Sequence, residues 1–105
     1  MPMLEHDGVR VEVNEDGFMV QPEAWTERVA RALASTEGVT MLTPRHWALV
    51  KYIRDHYVRF GVPPMIRKLC KETKTQLKDV YVLFPSGPAK GVCKVAGLPN
   101  GDGCV

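Results

Sequence analysis

Two cysteines near the end of the chain, Cys93 and Cys104, lie eleven positions apart in very different surroundings. Cys104 follows Gly97-Leu-Pro-Asn-Gly-Asp-Gly103, which packs three glycines and a proline into seven residues. A structural cysteine is normally buried among apolar side chains. This position supplies none, so Cys104 reads as a thiol on a stalk, against the plainer reading of an accidental surface thiol. Cys93 is flanked by Lys90 and Lys94. Cations within a helical turn stabilise a thiolate and lower its pKa. The thiolate is the form that attacks a disulfide, a persulfide or an electrophile. From the residues alone, packing of the last helix against a bundle explains Cys93 equally well.

The spacing adds a second constraint. Eleven residues of extended chain reach about 36–40 Å, far enough to enter a partner's active site. Folded back, the glycines let Cys104 meet Cys93 and close a short loop at low entropic cost. One segment therefore supports an extended carrier and a retracted disulfide. The third cysteine, Cys70, falls on the apolar side of Ile66-x-x-Leu69-Cys70 and reads as core. No Cys-x-x-Cys pair occurs, which argues against a zinc site. His6, His46 and His56 read as surface or boundary residues. Ser86-Gly-Pro-Ala-Lys-Gly91 lacks the Gly-Lys-Ser/Thr ending of a phosphate loop. No acid–base machinery is visible, so the chain does not read as an enzyme on its own, and neither a metal nor a cofactor of its own is implied.

The elements that must position these thiols are short. Val9-Arg-Val-Glu-Val13 alternates as a half-buried strand does, Asn14–Gly17 is a turn, and Phe18–Val20 follows, which predicts a hairpin over residues 9–20. Pro22 opens a helix with Trp25, Val29 and Leu33 inward, ended by Gly38. Thr43-Pro44 starts a second, in which Leu49, Val50, Ile53, Tyr57 and Phe60 share a face and Gly61 stops the run. After Pro63-Pro64 a short helix carries Ile66, Leu69 and Cys70. Thr75 then caps another with Leu77, Val80, Tyr81 and Phe84 buried. A last helix covers Ala89–Ala96. The expected fold is mainly α: a small helical bundle with a helix-turn-helix-like region, an N-terminal β-hairpin and a flexible C-terminal arm. The expected division is a body over 1–96 and an arm over 97–105 carrying Cys104.

At 105 residues, 45% hydrophobic and 25% charged, the chain has one domain's worth of core and no span of roughly 20 apolar residues. The first fifteen residues carry acids and no apolar signal region, which points to the cytoplasm. An odd cysteine count argues against a disulfide framework. The net charge of +2 is uneven. Residues 67–105 hold seven Lys/Arg against three Asp/Glu, whereas residues 1–66 hold seven against nine. The basic half, with Arg67, Lys68, Lys71, Lys74 and Lys78, offers a docking face for an acidic partner. A helix-turn-helix DNA-binding regulator is the alternative, and a docking or solvated face is favoured over nucleic acid.

The ending Pro85-Ser-Gly-Pro-Ala-Lys90, Cys93, Ala96-Gly-Leu-Pro99 and Cys104 resembles the DsrC/TusE family. Asp16-Gly17-Phe18, Trp25, His46, Pro63-Pro64-Met65 and Leu69 extend the resemblance over most of the chain. It implies a sulfur carrier and co-substrate of dissimilatory sulfite reductase. On that pattern the arm enters the enzyme's α and β subunits toward the sirohaem. Cys104 accepts sulfur, and Cys93 resolves it as a trisulfide or disulfide. The basic residues Lys90, Lys94, Arg67, Lys68 and Lys71 would meet partners. A membrane complex with a heterodisulfide-reductase-like subunit would then reduce the product, and other sulfurtransferases are further possible partners. In the TusE branch, which relays sulfur for tRNA 2-thiouridine synthesis, the upstream cysteine is typically absent, so Cys93 favours the sulfite-reductase branch. The family often reads Leu-Pro-Lys-Pro-Thr-Gly-Cys, where this chain has Asn100, Gly101 and Asp102. The arm is accordingly expected to be more flexible and less basic.

Overall fold

A computed structural model describes residues 3–99. The chain begins with an antiparallel hairpin, β1 (Met3–His6) and β2 (Val9–Glu12), in which Met3 faces Glu12 and His6 faces Val9. Its connection is the two-residue turn Asp7-Gly8, both with positive φ (52° and 81°), the geometry that matches strand twist and that Asp-Gly favours. The hairpin therefore lies earlier than residues 9–20. Of that expected pairing, one bridge survives, Val13 to Met19, across a loop tied by Asn14. The Asn14 side-chain oxygen accepts from the backbone N–H of Asp16 and Phe18. Those local bonds hold the loop without a second ladder.

The first expected helix is split. Pro22–Ala24 makes one 3-10 turn, Trp25 is extended, and Thr26 restarts the chain by accepting from the Val29 N–H. Helix α1 (Glu27–Ser35) then packs Val29, Ala30, Leu33 and Ala34 inward, against the hairpin and the core. Helix α2 (Pro44–Phe60) begins at Thr43-Pro44 and ends at left-handed Gly61, as its sequence predicts. Leu49, Val50 and Ile53 are fully buried, each burial worth roughly 1.5–3 kcal/mol. Phe60, at the fraying end, is exposed rather than inward.

Helices α3 (Ile66–Thr73) and α4 (Leu77–Leu83) follow. Leu69, Val80 and Phe84 enter the core, while Leu77 and Tyr81 lie at the surface. Thr75 does not cap α4; Gln76 holds that place, and Thr75 bonds with Thr73 instead. The last helix starts as a π-helix (Pro88–Cys93), a rare i→i+5 winding that is frequent at functional sites. It packs against α2. Among the described residues no helix is long and apolar enough to cross a membrane.

His46 is buried rather than peripheral. At the third position of α2 it completes a capping box with Thr43: Nδ1 accepts from the Thr43 N–H. Its Nε2 lies 3.0 Å from the Leu83 carbonyl, so that nitrogen donates. The two contacts select the neutral Nε2–H tautomer. Burial lowers the His46 pKa, and the Leu83 carbonyl opposes that shift. The ring also meets Phe84 edge-on at 5.1 Å, joining the start of α2 to the end of α4.

Candidate functional site

Cys93 is fully buried at the last π-helical position. A close approach seats the helix. Gly91 packs on Phe84 so tightly that a Cβ there would lie 2.9 Å from the Phe84 Cβ. After Cys93 the winding returns to α and stops at Gly97, whose φ is 81°. The Gly97 N–H bonds the Lys94 carbonyl, and the Leu98 N–H reaches back to the Cys93 carbonyl. This pair of bonds is a Schellman ending, with Leu98 and Cys93 in the positions that commonly touch across it.

A helix end leaves its last carbonyls without intrahelical donors. Here all four are supplied. Cys93 and Lys94 use the Schellman bonds. The Trp25 indole N–H donates to the Val95 carbonyl at 2.9 Å, and Arg54 Nη1 donates to the Ala96 carbonyl at 3.3 Å. Arg54 also donates through Nη2 to the Pro22 carbonyl and lies over the Trp25 ring, 5.0 Å from its centroid. Trp25 in turn leans on Gly97, where a Cβ would stand 2.3 Å from Cδ1. Beyond the helix, Asn14 Nδ2 donates to the Pro99 carbonyl. Three side chains, Trp25, Arg54 and Asn14, thus join the segment's own Schellman bonds in holding the backbone from Cys93 to Pro99. The expected arm started at Gly97, yet Gly97 and Leu98 are buried and Pro99 is half-buried. The described chain is still held by the fold at Pro99. Residues 100–105, with Cys104, lie outside the described residues.

The two lysines beside Cys93 differ. Lys90 is exposed. Lys94 is buried, its ammonium paired with the equally buried Glu37 carboxylate and set 5.8 Å from the Phe18 ring centroid. Gly17 makes room for it, since a Cβ there would come within 3.0 Å of Nζ. The expected partner-facing role does not fit Lys94: its charge is spent inside the fold. It ties the helix of Cys93 to the loop after α1. Arg67, Lys68 and Lys71 are all exposed on α3. Cys70 is half-buried on the same helix, and burial pushes its thiol pKa up, which keeps it protonated at neutral pH.

Sequence reasoning missed Asn14, Glu37, Arg54 and His46 as supports. The Thr43-x-x-His46 spacing carried a signal for the cap. Glu37 and Arg54 carried none, because their partners are 57 and 42 residues away. Chemically, the arrangement provides a buried sulfur on a helix end whose backbone is bonded into the fold as far as Pro99.

A family model described as "DsrC like protein" matches residues 5–105. The chain is 41% identical, over its full length and the full length of the relative, to "Sulfite reductase, dissimilatory-type subunit gamma" of Nitratidesulfovibrio vulgaris. It is 37% identical to "Sulfurtransferase TusE" of Escherichia coli K12, across 98% of this chain and 100% of that one. Among solved structures it resembles the oxidized gamma-subunit of the dissimilatory sulfite reductase (DsrC) from Archaeoglobus fulgidus. The TM-score is 0.88 at 41% identity, covering 99% of this chain and 100% of the other.

Proposed function

The chain belongs to the DsrC-like family, and from that premise we propose that it is the sulfur carrier and protein co-substrate of a dissimilatory sulfite reductase. The observation that carries this reading is the platform at Cys93: a fully buried cysteine whose helix end is clamped, with the backbone still held at Pro99, five positions before Cys104 in the sequence. A fixed base next to the reactive end of the sequence is what a delivery arm requires. Cys104 accepts the sulfur and Cys93 resolves it. Closing a trisulfide from sulfite takes one electron from each thiol and two from the reductase. The sulfite sulfur falls from S(IV) to S(0), its three oxygens leave as water with protons from the thiols and solvent, and that sulfur bridges the two cysteines.

Burial suits Cys93 to the resolving role. A thiol shut away from solvent is protected from stray oxidants and reacts when Cys104 is brought to it. Lys90, Arg67, Lys68 and Lys71 are exposed cations that would meet partners. In this reading the protein works in the cytoplasm, binds the α and β subunits of the reductase, and is regenerated by a membrane complex with a heterodisulfide-reductase-like subunit.

A second reading rests on the 37% identity to the TusE sulfurtransferase: a persulfide relay toward tRNA thiolation. It needs Cys104 alone. The discriminating experiment is intact and peptide mass spectrometry after turnover with sulfite reductase, sulfite and an electron donor, with thiols alkylated on quenching. One added sulfur bridging the Cys93 and Cys104 peptides is expected, and Cys93→Ala should stop at a persulfide on Cys104. Plain thiols on both cysteines after sulfite has been consumed would end the sulfite-reductase reading. Sulfur relay that survives Cys93→Ala unchanged would favour the tRNA pathway.

A further inference from the structure

The corner where α3 meets α4 gathers apolar side chains around a concavity. A cleft of about 520 Å³ opens there, walled by Met65, Ile66, Arg67, Cys70 and Leu77. Met65 is 62% exposed and Leu77 is 47% exposed. Val62, exposed three residues before Met65, extends the apolar strip beyond the buried Pro64. Large apolar side chains gathered around a concavity, rather than scattered singly, mark an interaction site.

A cationic row runs beside this strip. On a helix, residues three and four apart share a face. Ile66 and Cys70 face the cleft, Arg67 and Lys71 lie one step around α3 from them, and Lys74 follows at the left-handed residue that ends the helix. Lys68 is exposed on the same helix, and Lys78 follows Leu77 on α4. Among the described residues none of these five cations makes an ion pair. The two acids in the segment are Glu72 and Asp79. Burial raises the phenol pKa of Tyr52 on α2, and the Glu72 carboxylate adds to that shift.

We propose that this corner is the body-docking surface for the reductase, taking a partner segment that places an apolar side chain in the cleft and carboxylates along the Arg67–Lys71–Lys74 row. The inference rests on the function proposed above and adds a second attachment to it, separate from the arm. Charge complementarity selects an acidic protein surface. A nucleic-acid backbone would satisfy the lysines but would lay phosphate and sugar over Met65 and Leu77, where interfaces between proteins put their apolar centre and keep charge at the rim. Attachment through the body leaves the arm free to enter and withdraw while the complex persists.

The test compares affinities of the full chain for the purified αβ reductase by titration calorimetry, with thermal melting as the folding control. Met65→Glu and Leu77→Glu put a carboxylate in the apolar cleft at exposed positions. Each should weaken binding at least tenfold with little change in melting temperature. Lys71→Glu should weaken it severalfold and flatten its salt dependence. Cys104→Ala should bind as tightly as the unmodified chain. In sulfur loading, Met65→Glu should raise the reductase concentration needed, with the same maximum at saturation. Wild-type affinity for both cleft variants would overturn the docking surface while leaving the carrier function intact. No binding by the unmodified chain would overturn both. Binding to a duplex DNA fragment that is lost with Lys71→Glu but kept with Met65→Glu would replace the protein partner with nucleic acid.

Discussion

The end of the last helix and the α3–α4 corner carry similar residue types but leave them in opposite states. At the helix end every backbone carbonyl from Cys93 to Ala96 has a donor, and the one lysine is buried against a carboxylate. At the corner, apolar side chains face solvent and five cations make no ion pair among the described residues. The first region is complete in the isolated molecule. The second is left open to solvent. A carrier needs both: a fixed origin for the arm, and a face by which a larger protein can hold it.

The sharpest way to break this contrast is Glu37→Ala, which leaves the Lys94 ammonium buried and unpaired. Removing one partner of a buried pair typically costs about 3–5 kcal/mol. Chemical denaturation should show a loss of that size, and Glu37→Met with Lys94→Met should recover much of it. Gly97→Ala comes next. It forces a positive φ on an alanine and drives its Cβ into the Trp25 ring, and strain plus overpacking should cost about 2–4 kcal/mol in the same assay.

Asn14→Asp is subtler. The aspartate keeps the oxygen that orders the Asp16–Phe18 loop and loses the donor to the Pro99 carbonyl. Stability should fall by only about 1 kcal/mol. The equilibrium between reduced and disulfide-linked Cys93 and Cys104 in a glutathione buffer should shift more clearly, because the arm's origin is loosened. An unchanged equilibrium would mean that Asn14 serves the loop alone.

His46 tests the join between α2 and α4 through pH. Burial lowers its pKa, so below about 6.5 the unfolded chain takes up a proton that the folded chain resists. Stability should decline as pH falls through that value and level off below the lower, folded-state pKa. His46→Gln keeps an acceptor for the Thr43 N–H and should flatten that part of the curve. The smallest effect is expected at the corner. Met65→Glu should alter stability by no more than about 0.5 kcal/mol, since the side chain it replaces is largely in water. A large loss there would show the corner to be part of the fold rather than a face kept for a partner.

Much of the architecture was legible from local chemistry. Thr43-Pro44 and Gly61 bound α2 because a capping hydroxyl, a proline and a left-handed glycine act within a turn of themselves. The hairpin was displaced for an instructive reason. Both Asp7-Gly8 and Asn14–Gly17 carry turn chemistry, but the first has the two-residue form that closes a ladder, while Asn14 satisfies its loop with its own side chain. The surface positions of Leu77 and Tyr81 and the burial of His46 depend on which faces of α2, α3 and α4 meet, and periodicity in short helices does not settle that.

For the site, the sequence alone determined the two cysteines, their spacing and the glycine content between them, because composition and chain length dictate reach. It also determined the basic character of residues 67–78. Only the tertiary structure decided that Lys94 turns inward to Glu37 while Lys90 stays out, and that the helix end is held by Trp25, Arg54 and Asn14. Those contacts join residues 57 to 85 positions apart, or 42 in the case of Arg54. Whether a lysine is a free charge or a buried tie depends on where a distant carboxylate comes to rest, and no local pattern in the chain encodes that.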